Sequence, residues 1–248
     1  MNNQVLDLLL KRRTIRAFKD QTLTPEQYQT LTEVVRQTAT SMFMQQTSLI
    51  HVTDPEIRTT IREVCNQPYV GANGDLFVFV VDLYRNRQIL ATQGLATEQM
   101  HGTDVFLQAV EDTVLAAQNF TTAAESLGLG AVFLGSIQND AQKVVTALQL
   151  PELTFPLLGL QVGIPDQKPQ LKPRMPLSLR TFTNHYQPDY QLADFGEYDQ
   201  VVQTYYDLRD ANRRVDSFTH QVGTNLTKSP AQRRHILDIL HAQKLCLH

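Results

Sequence analysis

Two groups of cationic side chains stand far apart in the sequence, and folding could bring them to one anion. Arg12, Arg13 and Arg16 lie near the start of the chain, and Lys172 and Arg174 follow about 160 residues later. The net charge of the chain is −3, so no general excess of positive charge accounts for them. Taken alone, the first group also suits a solvated helix end, where cations interact favourably with the helix dipole. Together the two groups predict a shared anion such as a phosphate, because cations that meet in a fold otherwise repel one another.

The glycines around position 130 indicate a ligand of a different shape. Gly128 and Gly130 resemble the start of a dinucleotide-binding G-x-G-x-x-G sequence, but Phe133 stands where the third glycine belongs. The pair also ends a helix and enters a strand, which is the reverse of the Rossmann order. Gly128 is explained by a left-handed helix stop. Gly135 and Ser136, at the end of the following strand, would let backbone amides approach a flat ligand.

The elements that position these residues alternate between helices and strands. The capping sequence Thr24-Pro25-Glu26-Gln27 starts one helix, and the continuous apolar run Leu76–Val81 predicts a strand buried on both faces. Predicted helices cover about residues 5–12, 24–37, 54–64, 104–127, a segment capped by Asp140, 197–208 and 230–243. Predicted strands cover 48–52, 76–81, 131–134 and 155–162. This order predicts an α+β fold with a mixed central sheet flanked by helices.

The chain changes character after Pro165. Residues 166–192 are rich in Pro, Lys, Gln and Tyr and have little periodicity, which predicts an extended arm. We therefore expect residues 1–165 to form the core, and residues 166–248 to form an arm and terminal helices of the same domain. An extended arm followed by terminal helices favours a homodimer in which each chain embraces the other.

The composition limits the class of protein. The chain is 42% hydrophobic and 19% charged, as in ordinary soluble domains, and its charge balance does not favour nucleic acid as a partner. No apolar stretch approaches membrane-spanning length, and no signal-peptide pattern is present. The two cysteines, Cys65 and Cys246, provide neither a metal site nor a disulfide framework. We expect a cytoplasmic protein without a metal, and no side chain has the context of a catalytic acid, base or nucleophile.

The order of the three strings, Arg12–Arg16, Leu127–Ser136 and Lys172–Arg174, resembles the nitroreductase/flavin reductase family. The resemblance is strongest to its NADPH-dependent branch and covers most of residues 5 to 215. It implies a homodimer that binds FMN, uses NADPH as a co-substrate and reduces a small-molecule electron acceptor. The shared anion would then be the phosphate of FMN.

The resemblance implies three kinds of FMN contact: a grip on the phosphate, contacts to the ribityl chain and ring, and backbone contacts to the ring edge. In that order the implied residues are Arg12, Arg13, Thr14, Lys172 and Arg174; Thr40, Ser41, Met42 and Gln67; and Leu134, Gly135 and Ser136. Arg16 would lie near the pyrimidine edge, where a cation stabilises the negative charge of the reduced ring. Arg16 is thus the one residue expected to tune the chemistry.

A later group of arginines resembles the loop with which this branch binds the 2′-phosphate of NADPH. Arg209 and Arg213 are its expected ligands, because guanidinium groups match a phosphate dianion. The alternative is a solvated loop in which nearby aspartates are the partners of the arginines. Both interpretations remain open from the sequence.

Two departures from the family pattern affect what the resemblance implies. Relatives often have His-Arg-Ser where this chain has Arg12-Arg13-Thr14, but both versions keep hydrogen-bond donors, so FMN binding is still expected. Relatives can be serine-rich at Met42 and basic at Gln138. Because the resemblance implies that these positions lie near the electron acceptor, acceptor preference is not carried over.

The implied activity is a ping-pong transfer of two electrons from NADPH to nitroaromatics, quinones or free flavin. Val70, Phe43 and Phe120 are candidates for the apolar walls of such a pocket. Two alternatives remain: a non-catalytic FMN-binding sensor or regulatory protein, and a dehalogenase-type relative on the same scaffold. The arginines at 209 and 213 favour an enzyme that uses a pyridine nucleotide.

Overall fold

Three helices begin where capping residues predict them. The structure, a computed structural model, describes residues 3–209, 216–228 and 231–248, without the side chains of residues 206–209 and 232. Thr24 forms the expected capping box with Gln27, and the side chains of Asp54 and Asp140 accept backbone N–H bonds at two further helix starts. The helices are α1 (Gln4–Leu10), α2 (Pro25–Arg36), α3 (Pro55–Cys65), α4 (Tyr84–Thr92), α5 (Thr103–Ser126), α6 (Ala141–Ala147), α7 (Gly196–Arg209), α8 (Phe218–Leu226) and α9 (Ile236–Ala242).

The strands form one four-stranded sheet. They are β1 (Thr47–Val52), β2 (Asp75–Asp82), β3 (Gly130–Leu134) and β4 (Thr154–Gly163), in the order β1-β2-β4-β3. The α+β class is confirmed. The expected mixed sheet is not what the strands form, since the three pairings are antiparallel and the parallel component is an isolated bridge between Thr14 and Ala131. A helix between two strands usually connects parallel neighbours. Here α3 lies between β1 and β2 in the sequence and α6 lies between β3 and β4, yet both pairs of strands are antiparallel.

Strand β2 lies inside the sheet and is buried on both faces, as its apolar run predicts. Leu76, Val78 and Val80 pack on one side with α3 and α6. Phe77 and Phe79 pack on the other side against Phe120 of α5. Helix α5 therefore lies along one face of the sheet, with α2 packed on it. It ends at Gly128, whose φ of +77° confirms the left-handed stop.

Two helices are missing from the sequence prediction. Helix α4 begins without a side-chain cap, so no local signal marks its start. Helix α8 follows the charged segment that the prediction leaves as a divider, and Ser217 caps it by accepting the N–H of His220. In the ranges that the structure covers, no helix is long and apolar enough to cross a membrane.

The described residues divide into two compact units. One lies within Met1–Pro169 and Pro230–His248, and the other lies within Gln170–Ser229. In the first unit, α9 and the chain end pack with the residues around β2 and β4, so the C-terminal residues belong to the core. The second unit contains residues 170–192 of the predicted extended arm, α7 and α8.

Candidate functional site

The first string of basic residues lies beside the start of strand β3. Helix α1 ends at Leu10, so Arg12 is past the helix rather than at its end. Thr14 then bridges Ala131, and the N–H of Ile15 donates to the carbonyl of Ala131 at 3.0 Å. Gly130 permits this approach, because a Cβ atom there would lie 2.6 Å from Cγ1 of Ile15.

Arg12 turns its side chain toward helix α5. Its Nε lies 3.2 Å from Oε1 of Glu125, and its guanidinium carbon lies 5.7 Å from the centre of the Phe133 ring. The ion pair lacks hydrogen-bond geometry, and Nη2 of Arg12 is buried without a hydrogen-bond partner among the described residues. Burial raises the pKa of Glu125, and the positive charge of Arg12 partly offsets that rise. The guanidinium thus keeps donors that could bind an anion.

The other predicted phosphate ligands are at the surface. Arg13 and Arg16 are exposed, and Nη1 of Arg13 donates to the carbonyl of Lys11 at 3.3 Å. Lys172 and Arg174 are exposed in the second compact unit, where Nη1 of Arg174 donates to the carbonyl of Lys172 at 2.9 Å. The convergence of the two cationic groups on one phosphate stays a prediction.

The turn after strand β3 has the open backbone that the sequence predicts. A Cβ atom at Gly135 would have no neighbour within 4 Å. The side chain of Leu134 is buried in the core, so only its backbone could touch a ligand. Ser136 forms a hydrogen bond with the thiol of Cys65, whose pKa is raised by burial and partly lowered again by that bond. The side chains of Leu134 and Ser136 therefore fix the turn to the core, whereas the space beside Gly135 is accessible.

Arg233 is a neighbour of this turn that sequence reasoning misses. Its Nη2 donates to the carbonyl of Gly135 at 2.8 Å, and its Nε is buried without a hydrogen-bond partner among the described residues. No local signal could connect Arg233 with Gly135, because 98 residues separate them. The C-terminal segment thus brings a cation with a free donor to the predicted ring-binding turn.

The loop formed by residues Thr40–Gln46, here called the Met42 loop, is held by a buried carboxylate. Asp112 of α5 is 2% exposed and accepts hydrogen bonds from the Thr40 hydroxyl at 2.5 Å, the Ser41 N–H at 2.7 Å and the Gln46 N–H at 3.1 Å. The hydroxyl of Thr40 also accepts the N–H of Gln45 at 2.8 Å. The predicted ligand Thr40 is therefore engaged within the protein, and Asp112 is a second residue that sequence reasoning misses.

The Met42 loop has a strained backbone and exposes apolar side chains. Met42, Phe43 and Gln45 have φ values of +49°, +63° and +53°. Left-handed backbone costs a residue other than glycine about 1–2 kcal/mol. Met42 and Phe43 are 75% and 80% exposed. Strain together with exposed apolar surface is typical of a segment that contacts a ligand or another chain.

The remaining predicted residues lie in different environments. Gln67 is half-buried and accepts a hydrogen bond from the Tyr69 hydroxyl. The prediction that Val70 and Phe120 line a pocket is wrong, because both side chains are fully buried in the core. For the proposed NADPH ligands, the side chain of Arg209 and the whole of Arg213 lie outside the described residues.

Helix α5 connects the parts of the candidate site and sets their spacing. Asp112 holds the Met42 loop, and Glu125 contacts Arg12 thirteen residues later. At 1.5 Å per residue, the two anchoring points are about 20 Å apart along the helix. The turn at Gly135 lies about 13 Å along strand β3 from Ala131, the partner of Thr14. The first unit thus presents cationic donors and an accessible turn on β3, and a separate apolar loop farther along α5.

Comparison with known proteins identifies the family. Residues 9–164 match the nitroreductase family, and residues 172–248 match its C-terminal domain. An NADPH-dependent oxidoreductase of Staphylococcus aureus is 37% identical over 227 residues, which is 90% of each chain. An FMN reductase (NADPH) of Bacillus subtilis is 36% identical over 92% of this chain and 93% of its own length. The structure of NfrA1 from B. megaterium superimposes with a TM-score of 0.93 at 33% identity, covering 98% of this chain and all of the other. The chain therefore belongs to the nitroreductase family.

Proposed function

We propose that the protein is an FMN-containing oxidoreductase that takes two electrons from NADPH and passes them to a flat acceptor such as a nitroaromatic, a quinone or free flavin. The observation that carries the proposal is the pair of incompletely satisfied guanidinium groups beside strand β3. Arg12 has a buried Nη2, and Arg233 a buried Nε, without a hydrogen-bond partner among the described residues. The names of the relatives in S. aureus and B. subtilis support the redox class and NADPH as the donor.

The residues along β3 fit an elongated cofactor with an anionic tail and a flat head. Buried donors without partners cost free energy, and an anion would satisfy them. Gly135 leaves its surroundings open where a flat ring would approach the backbone. FMN combines a phosphate with a planar ring, and when bound it supplies a site that accepts a hydride from NADPH and releases two electrons to the acceptor.

The proposed role of the protein is to bind and orient. Arg12, Arg13 and Thr14 would hold the phosphate together with Lys172 and Arg174 of the second unit. Backbone groups at Gly135 and Ser136 would contact the ring edge, where Arg233 adds positive charge. Arg16 would stabilise negative charge that develops at the pyrimidine edge. Arg209 and Arg213 would bind the 2′-phosphate of NADPH.

We further propose that the protein is a homodimer. The Met42 loop is anchored about 20 Å along α5 from the Arg12 contact, which favours its use at a site completed by a second copy. Exposed apolar side chains on α1 and α5 support an extensive contact. These side chains are Val5, Leu6, Leu9, Leu10, Leu107, Val114 and Leu115. Light scattering during gel filtration should give twice the 28.1 kDa mass of one chain.

Anaerobic mixing with NADPH tests the activity. We expect the purified protein to be yellow, to lose the absorbance of the oxidised flavin band on mixing, and to regain it when a nitroaromatic is added. A yellow protein that is indifferent to both NADPH and NADH would overturn the reductase and favour the FMN-binding sensor. A colourless protein that does not bind added FMN would refute the proposal that FMN is the cofactor.

Gly135→Ala tests the ring-binding turn without disturbing the fold. The added methyl group meets nothing within 4 Å in the protein, so the unfolding midpoint should be unchanged. If the backbone touches the flavin, the methyl group should raise the FMN dissociation constant by roughly tenfold, through overpacking of the contact. Gly196→Ala is the matched control, because its added methyl group also meets nothing and Gly196 lies outside the predicted site. Equal FMN affinity in both variants would remove Gly135 from the site.

A further inference from the structure

We propose that Asp112 is a positioning residue that sets the preference for the electron acceptor. Its buried carboxylate would fix the Met42 loop so that Met42 and Phe43 form one apolar wall for a flat acceptor. The inference rests on the proposed function, and it adds a determinant of specificity that does not itself touch the cofactor or the substrate.

The first support is the way in which Asp112 is bonded. In the described part of the chain, no cationic side chain lies within 4.0 Å of the carboxylate, so its charge is balanced by hydrogen-bond donors. The three donors belong to Thr40, Ser41 and Gln46, which enter and leave the loop. Hydrogen bonds to a carboxylate are stronger than neutral ones, so this anchor is rigid.

The second support is that the rest of the loop is held separately. Nη2 of Arg85 donates to the carbonyl of Gln45 at 2.6 Å, and Nδ2 of Asn86 donates to the carbonyl of Met44 at 3.0 Å. Both donors belong to α4. The α4 contacts therefore hold Met44 and Gln45, whereas Asp112 holds both ends of the loop, including the backbone directly before Met42 and Phe43.

The third support is the surface that the anchor presents. Two large apolar side chains stand exposed on left-handed backbone, a conformation that persists only when its surroundings impose it. Apolar walls suit flat aromatic compounds. NADPH has phosphate groups for additional anchoring, whereas a neutral acceptor depends on the wall. Loosening the loop should therefore affect acceptors more than NADPH.

The kinetic experiment compares Asp112→Asn with Glu111→Gln in the FMN-loaded protein. Both changes remove one negative charge from neighbouring residues of α5, but Glu111 is exposed. In Asp112→Asn the KM for a bulky nitroaromatic should rise roughly fivefold or more, since the amide cannot accept all three bonds. The KM for NADPH and the kcat per bound FMN should stay within twofold. Glu111→Gln should match the unmodified protein.

A fluorescence experiment tests the anchor without relying on activity. The sequence contains no tryptophan, so Phe43→Trp introduces a single reporter into the loop. Adding Asp112→Asn should lower the tryptophan anisotropy and increase acrylamide quenching roughly twofold as the loop loosens. Thr40→Val, which removes one of the three bonds, should cause a smaller change in the same direction.

The outcomes separate the two proposals. Failure of NADPH to bleach the unmodified protein would refute the proposed function, and the acceptor role would fall with it even if the fluorescence still showed an anchored loop. Unchanged fluorescence in Asp112→Asn would overturn the anchor. An equal loss of FMN content, NADPH use and acceptor use would also overturn the proposal, because it indicates a purely structural role. If Asp112→Asn does not fold, the fluorescence criterion alone is applied to Thr40→Val, and unchanged anisotropy and quenching there would overturn the anchor.

Discussion

Helix α5 carries two buried carboxylates whose surroundings differ. Asp112 accepts hydrogen bonds from three groups. Oε1 of Glu125 is buried without a hydrogen-bond donor among the described residues, although Nε of Arg12 lies 3.2 Å away. Burial raises the pKa of Glu125, and Arg12 compensates only in part. A saturated carboxylate fixes structure, because every partner depends on it. An incompletely satisfied ion pair leaves its cation able to bind a ligand as well.

The largest expected effect is on stability, and it follows from removing the carboxylate of Asp112. Asp112→Ala leaves a hydroxyl and two backbone N–H groups without their acceptor, which should lower the free energy of unfolding by about 3 kcal/mol. Urea denaturation followed by circular dichroism at fixed protein concentration measures the loss. Glu111→Gln on the exposed face should stay within about 0.5 kcal/mol. A loss below about 1 kcal/mol for Asp112→Ala would mean that water replaces the carboxylate, and the contrast with Glu125 would disappear.

A smaller effect, on FMN affinity, is expected from changing Glu125. Glu125→Gln keeps the shape of the side chain but removes the charge that competes for Arg12. The FMN dissociation constant should therefore fall by roughly threefold, corresponding to about 0.7 kcal/mol. Fluorescence titration of FMN into protein freed of cofactor measures it. Arg12→Ala should raise the same constant. Weaker FMN binding in Glu125→Gln would show that the carboxylate orients Arg12 rather than competing for it.

The same contrast explains what the sequence can predict. Helix caps at Thr24, Asp54 and Asp140, the stop at Gly128 and the buried strand around Val78 depend on residues close in sequence, and all were predictable. The accessible turn at Gly135 belongs with them, because the absence of a side chain is visible locally. Arg12 was identified as a ligand candidate by its residue type and by the resemblance to the family.

The unpredicted features depend on contacts between distant residues. Asp112 meets the Ser41 N–H across 71 positions, and Arg233 meets Gly135 across 98. Residue type alone did not distinguish Asp112 from the exposed Glu111, nor Phe120 of the core from a pocket wall. The antiparallel strand pairing also depends on distant residues, because the packing of the helices decides in which direction each strand runs beside its neighbour.

The smallest expected effect is a pH dependence from Glu125. Its pKa is raised in the folded protein, so between its ordinary value near 4.3 and the raised value the folded state binds more protons than the unfolded state. Stability is therefore fully present below pH 4.3 and is lost as the pH rises through the folded pKa. Glu125→Gln lacks this loss. Because other groups titrate equally in both proteins, the difference in melting temperature should shift in favour of the variant as the pH rises above 4.3 through the folded pKa. A constant difference would mean that Arg12 neutralises the carboxylate fully, so that the two ends of α5 would carry equally satisfied acids. A shift in the opposite direction would make the Arg12–Glu125 pair a stabilising contact, and an anion would then have to displace Glu125 to bind Arg12.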